Sequence, residues 1–135
     1  MEKEKVKEIT IIIPEKIPSA NGLYPTNRMG FRYLPREGKE FKERIGNICN
    51  QELLNLGDTK PDFTDKKLVV KMWVSENWFN KDGTIKKKDL MNKEKFVIDS
   101  VFKGLNLDDS QIFVFLSRKI TGSSDKTKIV LSELN

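Results

Sequence analysis

Apolar positions along this chain recur with two different rhythms. In one, they alternate or cluster as in strands. Ile9 to Ile13 is rich in β-branched residues and is stopped by Pro14, which predicts a largely buried first strand. Over Lys66 to Phe79, Leu68, Val70, Met72 and Val74 alternate with Val69, Lys71 and Trp73, a second clear strand. Ile112 to Ile120 and Lys128 to Leu131 read the same way across a Gly122-Ser123-Ser124-Asp125 turn. The last two strands are therefore expected to pair antiparallel with each other.

The other rhythm is helical. Phe41, Ile45, Ile48, Cys49, Leu53 and Leu56 mark a helix from about Pro35 to Leu56, with Pro35 suited to its first turn and Gly57 to its stop. Val97, Ile98, Val101 and Leu105, flanked by Phe96 and Phe102, mark a second helix over Met91 to Lys103, ended by Gly104. Between these elements lie a charged lead-in over residues 1–8, a long turn-rich loop over 14–30 and a short strand over Phe31 to Leu34. Asn80-Lys81-Asp82-Gly83 is a turn by residue chemistry. The order is β(β)αβαββ, which predicts a single compact α/β (α+β-like) domain over 9–135, two main helices packed on one mixed sheet.

Composition narrows what this domain can do. Only 37% of the 135 residues are apolar, but eight Phe, two Trp and two Tyr can anchor one core. The net charge is +5, which favours polyanionic partners such as nucleic acid. There is no histidine, which excludes Ser-His-Asp and Cys-His catalysis and His-ligated metals. A single cysteine, Cys49, excludes an internal disulfide and a multi-cysteine zinc site; its place on the apolar stripe of the first helix predicts a buried structural thiol. No apolar run approaches the roughly 20 residues a membrane span needs, so a soluble intracellular protein is expected. Hydrolytic chemistry here would fall to carboxylates, lysines and a hard metal ion.

Three places can carry that chemistry. Lys86-Lys87-Lys88-Asp89 leads straight into the second helix, whose dipole favours anions at that end. A lysine run is as often a solvated face, and Asp89 alone makes an attractive helix N-cap. Asp108-Asp109 follows the same helix. Paired acids in a loop are commonly turn residues, yet their mutual repulsion is relieved by a hard divalent cation such as Mg²⁺. Asn92-Lys93-Glu94-Lys95 occupies the first turns of the helix, either as an exposed charged turn or as a lysine near phosphate with a carboxylate near metal.

In this order the residues resemble the RusA family of Holliday-junction resolvases, common in bacteriophages and prophages. The resemblance lies in the run Thr84 to Lys95, a helix, and then Gly104-Leu105-Asn106-Leu107-Asp108-Asp109-Ser110-Gln111. It matches a family pattern of a basic stretch, Asp-Leu-Asp-Asn, a lysine shortly after, and an Asp-Asp pair past the helix. Ile17-Pro18-Ser19-Ala20-Asn21 is similar, more loosely, to the family's Pro-Pro-Ser-Asn-Asn entry segment. The resemblance covers roughly residues 9–133.

The resemblance implies a homodimeric Mg²⁺-dependent endonuclease, with Mn²⁺ a substitute, that nicks four-way DNA junctions symmetrically in recombination and repair. The setting it implies is the cytoplasm of a bacterial or phage-infected cell. By position it assigns catalysis to Asp89, Asp109 and Lys95, and metal binding to Asp89, Asp109 and Asp108. One position departs: the second aspartate of Asp-Leu-Asp-Asn is Met91 here, and a thioether is a poor Mg²⁺ ligand. Glu94, one helical turn on, is the natural replacement ligand. Lys86, Lys87 and Lys88, with Arg28, Arg32, Asn21 and Asn92, are the expected DNA contacts. The rival readings are a catalytically weakened junction-binding relative and a basic α/β adaptor without nuclease activity.

Overall fold

The structure, a computed structural model, describes residues 4–18, 36–87, 90–122 and 124–135, and of Met91 and Asn92 the backbone alone. Four strands, β1 (Glu8–Ile13), β2 (Leu68–Glu76), β3 (Ile112–Thr121) and β4 (Lys126–Glu133), form one mixed sheet in the order β1-β4-β2-β3. Two helices, α1 (Arg36–Leu56) and α2 (Met91–Gly104), complete the βαβαββ domain. The expected strand over Phe31 to Leu34 lies outside the described residues. None of the helices described is long and apolar enough to cross a membrane.

The sheet buries one face. Ile9, Ile11 and Ile13 of β1, Leu68, Val70, Met72 and Val74 of β2, and Ile129 and Leu131 of β4 all point inward and are buried. They share a core with Phe41, Ile45 and Cys49 of α1 and Phe96, Val97, Val101 and Phe102 of α2. Alternation puts Ile12, Lys71, Leu116 and Lys128 on the other face, where all four are exposed. The two helices meet closely: a Cβ on Gly104 would lie 3.0 Å from both Cβ and Sγ of Cys49. Cys49 is buried, and burial pushes its thiol up to about 12, as an inert core sulfur should be.

Strand pairing corrects one expectation. β4 does not pair with β3; it lies antiparallel between β1 and β2, while β3 runs parallel to β2 after the α2 crossover. The reason is burial. β2 hides its inward row and both Ser75 and Glu76 at its end, so it needs neighbours on both sides. β3 leaves Phe113, Leu116 and Ile120 exposed and takes the edge beside it. The 122–125 connection therefore steps over the end of β2, a gap of about 10 Å between next-nearest strands that four residues can span. Ser75 lies directly under this step: its Oγ donates to the Ser124 carbonyl at 3.1 Å, and a Cβ on Gly122 would collide with the same Oγ.

The helix stops divide differently from the expectation. Gly57 ends α1 in the left-handed region at φ 53°. At the end of α2 the left-handed residue is Asn106, at φ 58°, not Gly104, which is still helical. Gly104 is there for the contact with Cys49. The lead-in is also tied down, since the Val6 N–H donates to the Thr59 carbonyl at 2.8 Å.

Candidate nuclease site

The parallel β2-α2-β3 unit has two ends, and the expected site residues divide between them. At the upper end, where β2 finishes, the chain makes a small hairpin closed by a Phe79–Ile85 bridge. Its tip is the expected turn: the Gly83 N–H donates to the Asn80 carbonyl, and Asp82 accepts from the Thr84 backbone and hydroxyl, which holds the Asp82 carboxyl below the usual range. Trp78 anchors the hairpin base, its indole N–H shared between the Val74 and Ile120 carbonyls at 3.2 and 3.1 Å. Lys86 is thereby held in place, its own N–H donating to the Trp78 carbonyl at 2.9 Å, and Lys87 follows in solvent.

Helix α2 starts just beyond. Leu90 occupies the N-cap position and supplies no side-chain cap, its carbonyl accepting from Lys93 and Glu94 N–H. Asp89, the residue expected at the cap, lies outside the described residues, as do Lys88, Asn21, Arg28, Arg32 and the side chains of Met91 and Asn92. Glu94 is half-buried on the first turn and Lys95 is exposed beside it. Lys93, which has no assigned role in the sequence pattern, is only 4% exposed. Its Nζ donates to the Ile17 carbonyl at 2.6 Å and lies 3.3 Å from Glu76 Oε2 at the end of β2, itself 1% exposed.

At the lower end, α2 gives way to Asp108 and a 3-10 turn over Asp109–Gln111. Asp108 caps that turn: its carboxylate accepts from the Ser110 N–H at 2.9 Å, and its own N–H donates to Gln111 Oε1 at 3.0 Å. The Ser110 backbone bond holds the Asp108 carboxyl below the usual range. Gln111 then donates to the Phe63 and Lys66 carbonyls, locking the turn to the start of β2. Asp109 stays exposed, on the rim of an open cleft of about 510 Å³ lined also by Asp99, Lys103, Asn106 and Asp108. Asp99 is an acid that the motif reading passed over; its spacing four residues before Lys103 on the helix is the signal that places it on this cleft.

The structure thus brings Asp108 and Asp109 together at one end and Lys86, Lys87, Glu94 and Lys95 at the other. Between them stands α2, whose 14 residues rise about 21 Å. Carboxylate ligands of one Mg²⁺ each sit about 2 Å from the ion, so acids at opposite ends of α2 do not share an ion within one chain. Consistent with that, no group of three or more acidic or cysteine side chains among the described residues is arranged to hold a metal.

Comparison with known proteins places the chain in a family. A model of the endodeoxyribonuclease RusA family matches residues 15–132. Curated proteins gave no match. A solved structure titled "IspF (Plasmodium falciparum) CDP complex" is similar over 98% of this chain and 99% of that one, at 14% identity and a TM-score of 0.40, too low to bear on function.

Proposed function

The chain belongs to the RusA endodeoxyribonuclease family, and from that premise we propose that it is a homodimeric, Mg²⁺-dependent nuclease whose metal site forms between two copies. Family membership implies a Holliday-junction resolvase, a hydrolase acting on phosphodiester bonds. What supports the shared site is the division of the acids by α2. Asp109 of one copy would complete Asp89 and Glu94 of the other, with a two-fold axis producing two such sites at once. Two sites related by that axis suit a four-way junction, which offers two equivalent strands for cutting.

The residues have separable tasks. Asp109 is exposed, beside Asp108 on the cleft, where a cation can reach its carboxylate. Asp108 commits Oδ1 to Ser110 and so acts first as the brace that aims its neighbour. Glu94 stands where the helix dipole already steadies a negative charge. A divalent cation held by these oxygens would supply water activation and charge neutralisation at the scissile phosphate. Lys95 adds positive charge beside that phosphate, and Lys86 and Lys87, presented by the hairpin, grip the backbone with Lys88, Arg28, Arg32, Asn21 and Asn92. The cytoplasm of a bacterial or phage-infected cell is the setting proposed with this activity.

The test is a pair of assays on one substrate set. In EDTA, gel shifts should show preference for a four-way junction over linear duplex of equal length under competitor DNA, with affinity falling steeply as salt rises. With Mg²⁺ or Mn²⁺ added, paired nicks should appear on opposing strands. Equal affinity for junction and duplex would sink the resolvase reading. Met91 in place of an acid favours a second reading, a relative that binds junctions but cuts poorly. It predicts the same shifts and almost no metal-dependent nicking.

A further inference from the structure

A lysine and a glutamate buried together are a costly way to fill a core, because an apolar pair of similar volume is commonly as stable or more so. Lys93 and Glu76 are such a pair, and both terminate apolar rows. Glu76 continues the inward alternation Leu68, Val70, Met72, Val74 of β2, and Lys93 continues the stripe of Val97 and Val101 on α2. Stability therefore does not account for them. Their position does more. The first turn of any helix has backbone N–H groups without intrahelical partners, and here the N-cap residue Leu90 offers no side-chain bond to satisfy them. That same turn carries Glu94 and Lys95.

Lys93 joins three parts of the molecule at one nitrogen. It belongs to the first turn of α2, meets the end of β2 through Glu76, and holds the Ile17 carbonyl on the segment that follows β1. That segment is otherwise fixed by the buried Ile17 side chain and by Glu15, which accepts from Arg44 Nε and Nη2 at 3.0 and 2.7 Å and so ties it to α1. Lys93 ties it to α2. Beyond Pro18 the chain continues to Asn21, Arg28 and Arg32.

We propose that Lys93, with Glu76 as its counter-ion, is a positioning residue of the nuclease site, clamping the first turn of α2 to the Ile17–Pro18 segment so that Glu94 and Lys95 keep one geometry. This deepens the nuclease reading and rests on it. Lys93 touches neither DNA nor the reacting atoms. It acts through Glu94 and Lys95, whose placement a loose first turn would blur, and a displacement of about 1 Å is enough to slow a reaction severely.

The decisive variant is the double replacement Lys93→Met with Glu76→Leu, which keeps the core filled and removes both charges of the buried pair. It should unfold at close to the wild-type temperature and bind junction in EDTA within about threefold of wild type. Its single-turnover nicking at saturating enzyme should fall about tenfold or more. Backbone amide exchange should rise over residues 14–18 and 91–96 and stay unchanged in β2. Glu76→Asp, which only draws the carboxylate back by one methylene, should show the same effects in milder form and decides the matter if the double variant does not fold.

Nicking within about twofold of wild type by either folded variant overturns the clamp, as does a loss confined to junction affinity. A wild-type chain that nicks no branched DNA would instead sink the nuclease reading, and the amide-exchange comparison would still decide whether Lys93 holds the two segments together.

Discussion

The two ends of α2 are secured by different means. At the C-terminal end the capping bonds are short in sequence: Leu107 N–H to the Phe102 carbonyl, Ser110 N–H to Asp108, and Asp108 N–H to Gln111, whose amide then docks the finished turn on the Phe63 and Lys66 carbonyls. At the N-terminal end the side-chain tie is long. Lys93 reaches Ile17, 76 residues away, and Glu76 across the hairpin. The cap at the lower end closes with its own residues and needs the start of β2 only as a dock for Gln111, so the geometry of the Asp108–Asp109 turn is set locally. The upper end takes its shape only when β1, β2 and α2 are already packed. A shared metal site would thus join a preformed half from one copy to a fold-dependent half from the other.

The sharpest way to break that comparison is to damage each half separately. Asp109→Asn and Asp89→Asn should each cut Mg²⁺-dependent nicking by about 10²–10³-fold, with junction binding intact or tighter because a negative charge near phosphate is gone. Unfolded and refolded as a mixture, the two inactive proteins should regain about a quarter of wild-type sites, since half the dimers are mixed and each mixed dimer holds one complete site. No recovery in a mixture shown to contain mixed dimers would place both acids in one chain's site and end the shared-site proposal.

A somewhat smaller effect tests the departure at position 91. If Glu94 supplies the missing carboxylate, Glu94→Gln should approach Asp89→Asn in severity, and Met91→Asp should change nicking little. If the chain is a weakened enzyme, Glu94→Gln will do little and Met91→Asp will raise the rate. Single-turnover nicking with both variants separates the two outcomes, with thermal unfolding as the control for folding.

Packing gives the next prediction. Gly104→Ala would press a methyl to 3.0 Å from Cys49, and overpacking of this kind costs about 1–3 kcal/mol. Denaturant unfolding should show it, and Gly104→Ala combined with Cys49→Ala should recover part of the loss. The smallest effect belongs to Asp108. Asp108→Asn keeps the cap acceptor and should leave nicking and stability nearly unchanged, whereas Asp108→Ala should lower stability slightly. Because the folded Asp108 carboxyl is held below its unfolded value near 3.9, its contribution is present above that pH and is lost as pH falls through the lower folded value. The Ala variant should therefore differ from wild type at pH 7 and converge with it in strong acid.

Much of this molecule is legible in its residues because periodicity is a local property. The alternation of β2 and the helical stripes of α1 and α2 each lie within one stretch of chain, and each of those elements is found to within about two or three residues. The β3–β4 pairing is not legible that way. Two strands joined by four residues look like a hairpin, and only the demand of β2 for two neighbours separates them. The site divides along the same line. Asp108 and Asp109 can be found from the motif, while the roughly 15 Å of α2 that separates them from Glu94 becomes visible only once the crossover is placed. Lys93 and Glu76 did leave a trace: each sits at the next step of an apolar row, where a charge is out of keeping. In a lysine-rich run that trace is easily taken for a solvated face.

The placing of β4 also fixes the order in which the sheet can be completed during synthesis. β2, α2 and β3 form a continuous unit that can assemble while the rest of the chain is still emerging, but β1, made first, has among the described strands no partner other than β4. It must wait, its strand edge unpaired, until the last strand arrives between it and β2. Each edge of β4 then closes against a strand made long before, over Gly122 as the hinge. A chain stalled before Lys126 would hold two exposed strand edges and an open core, and would be a substrate for chaperones rather than a smaller version of the same domain.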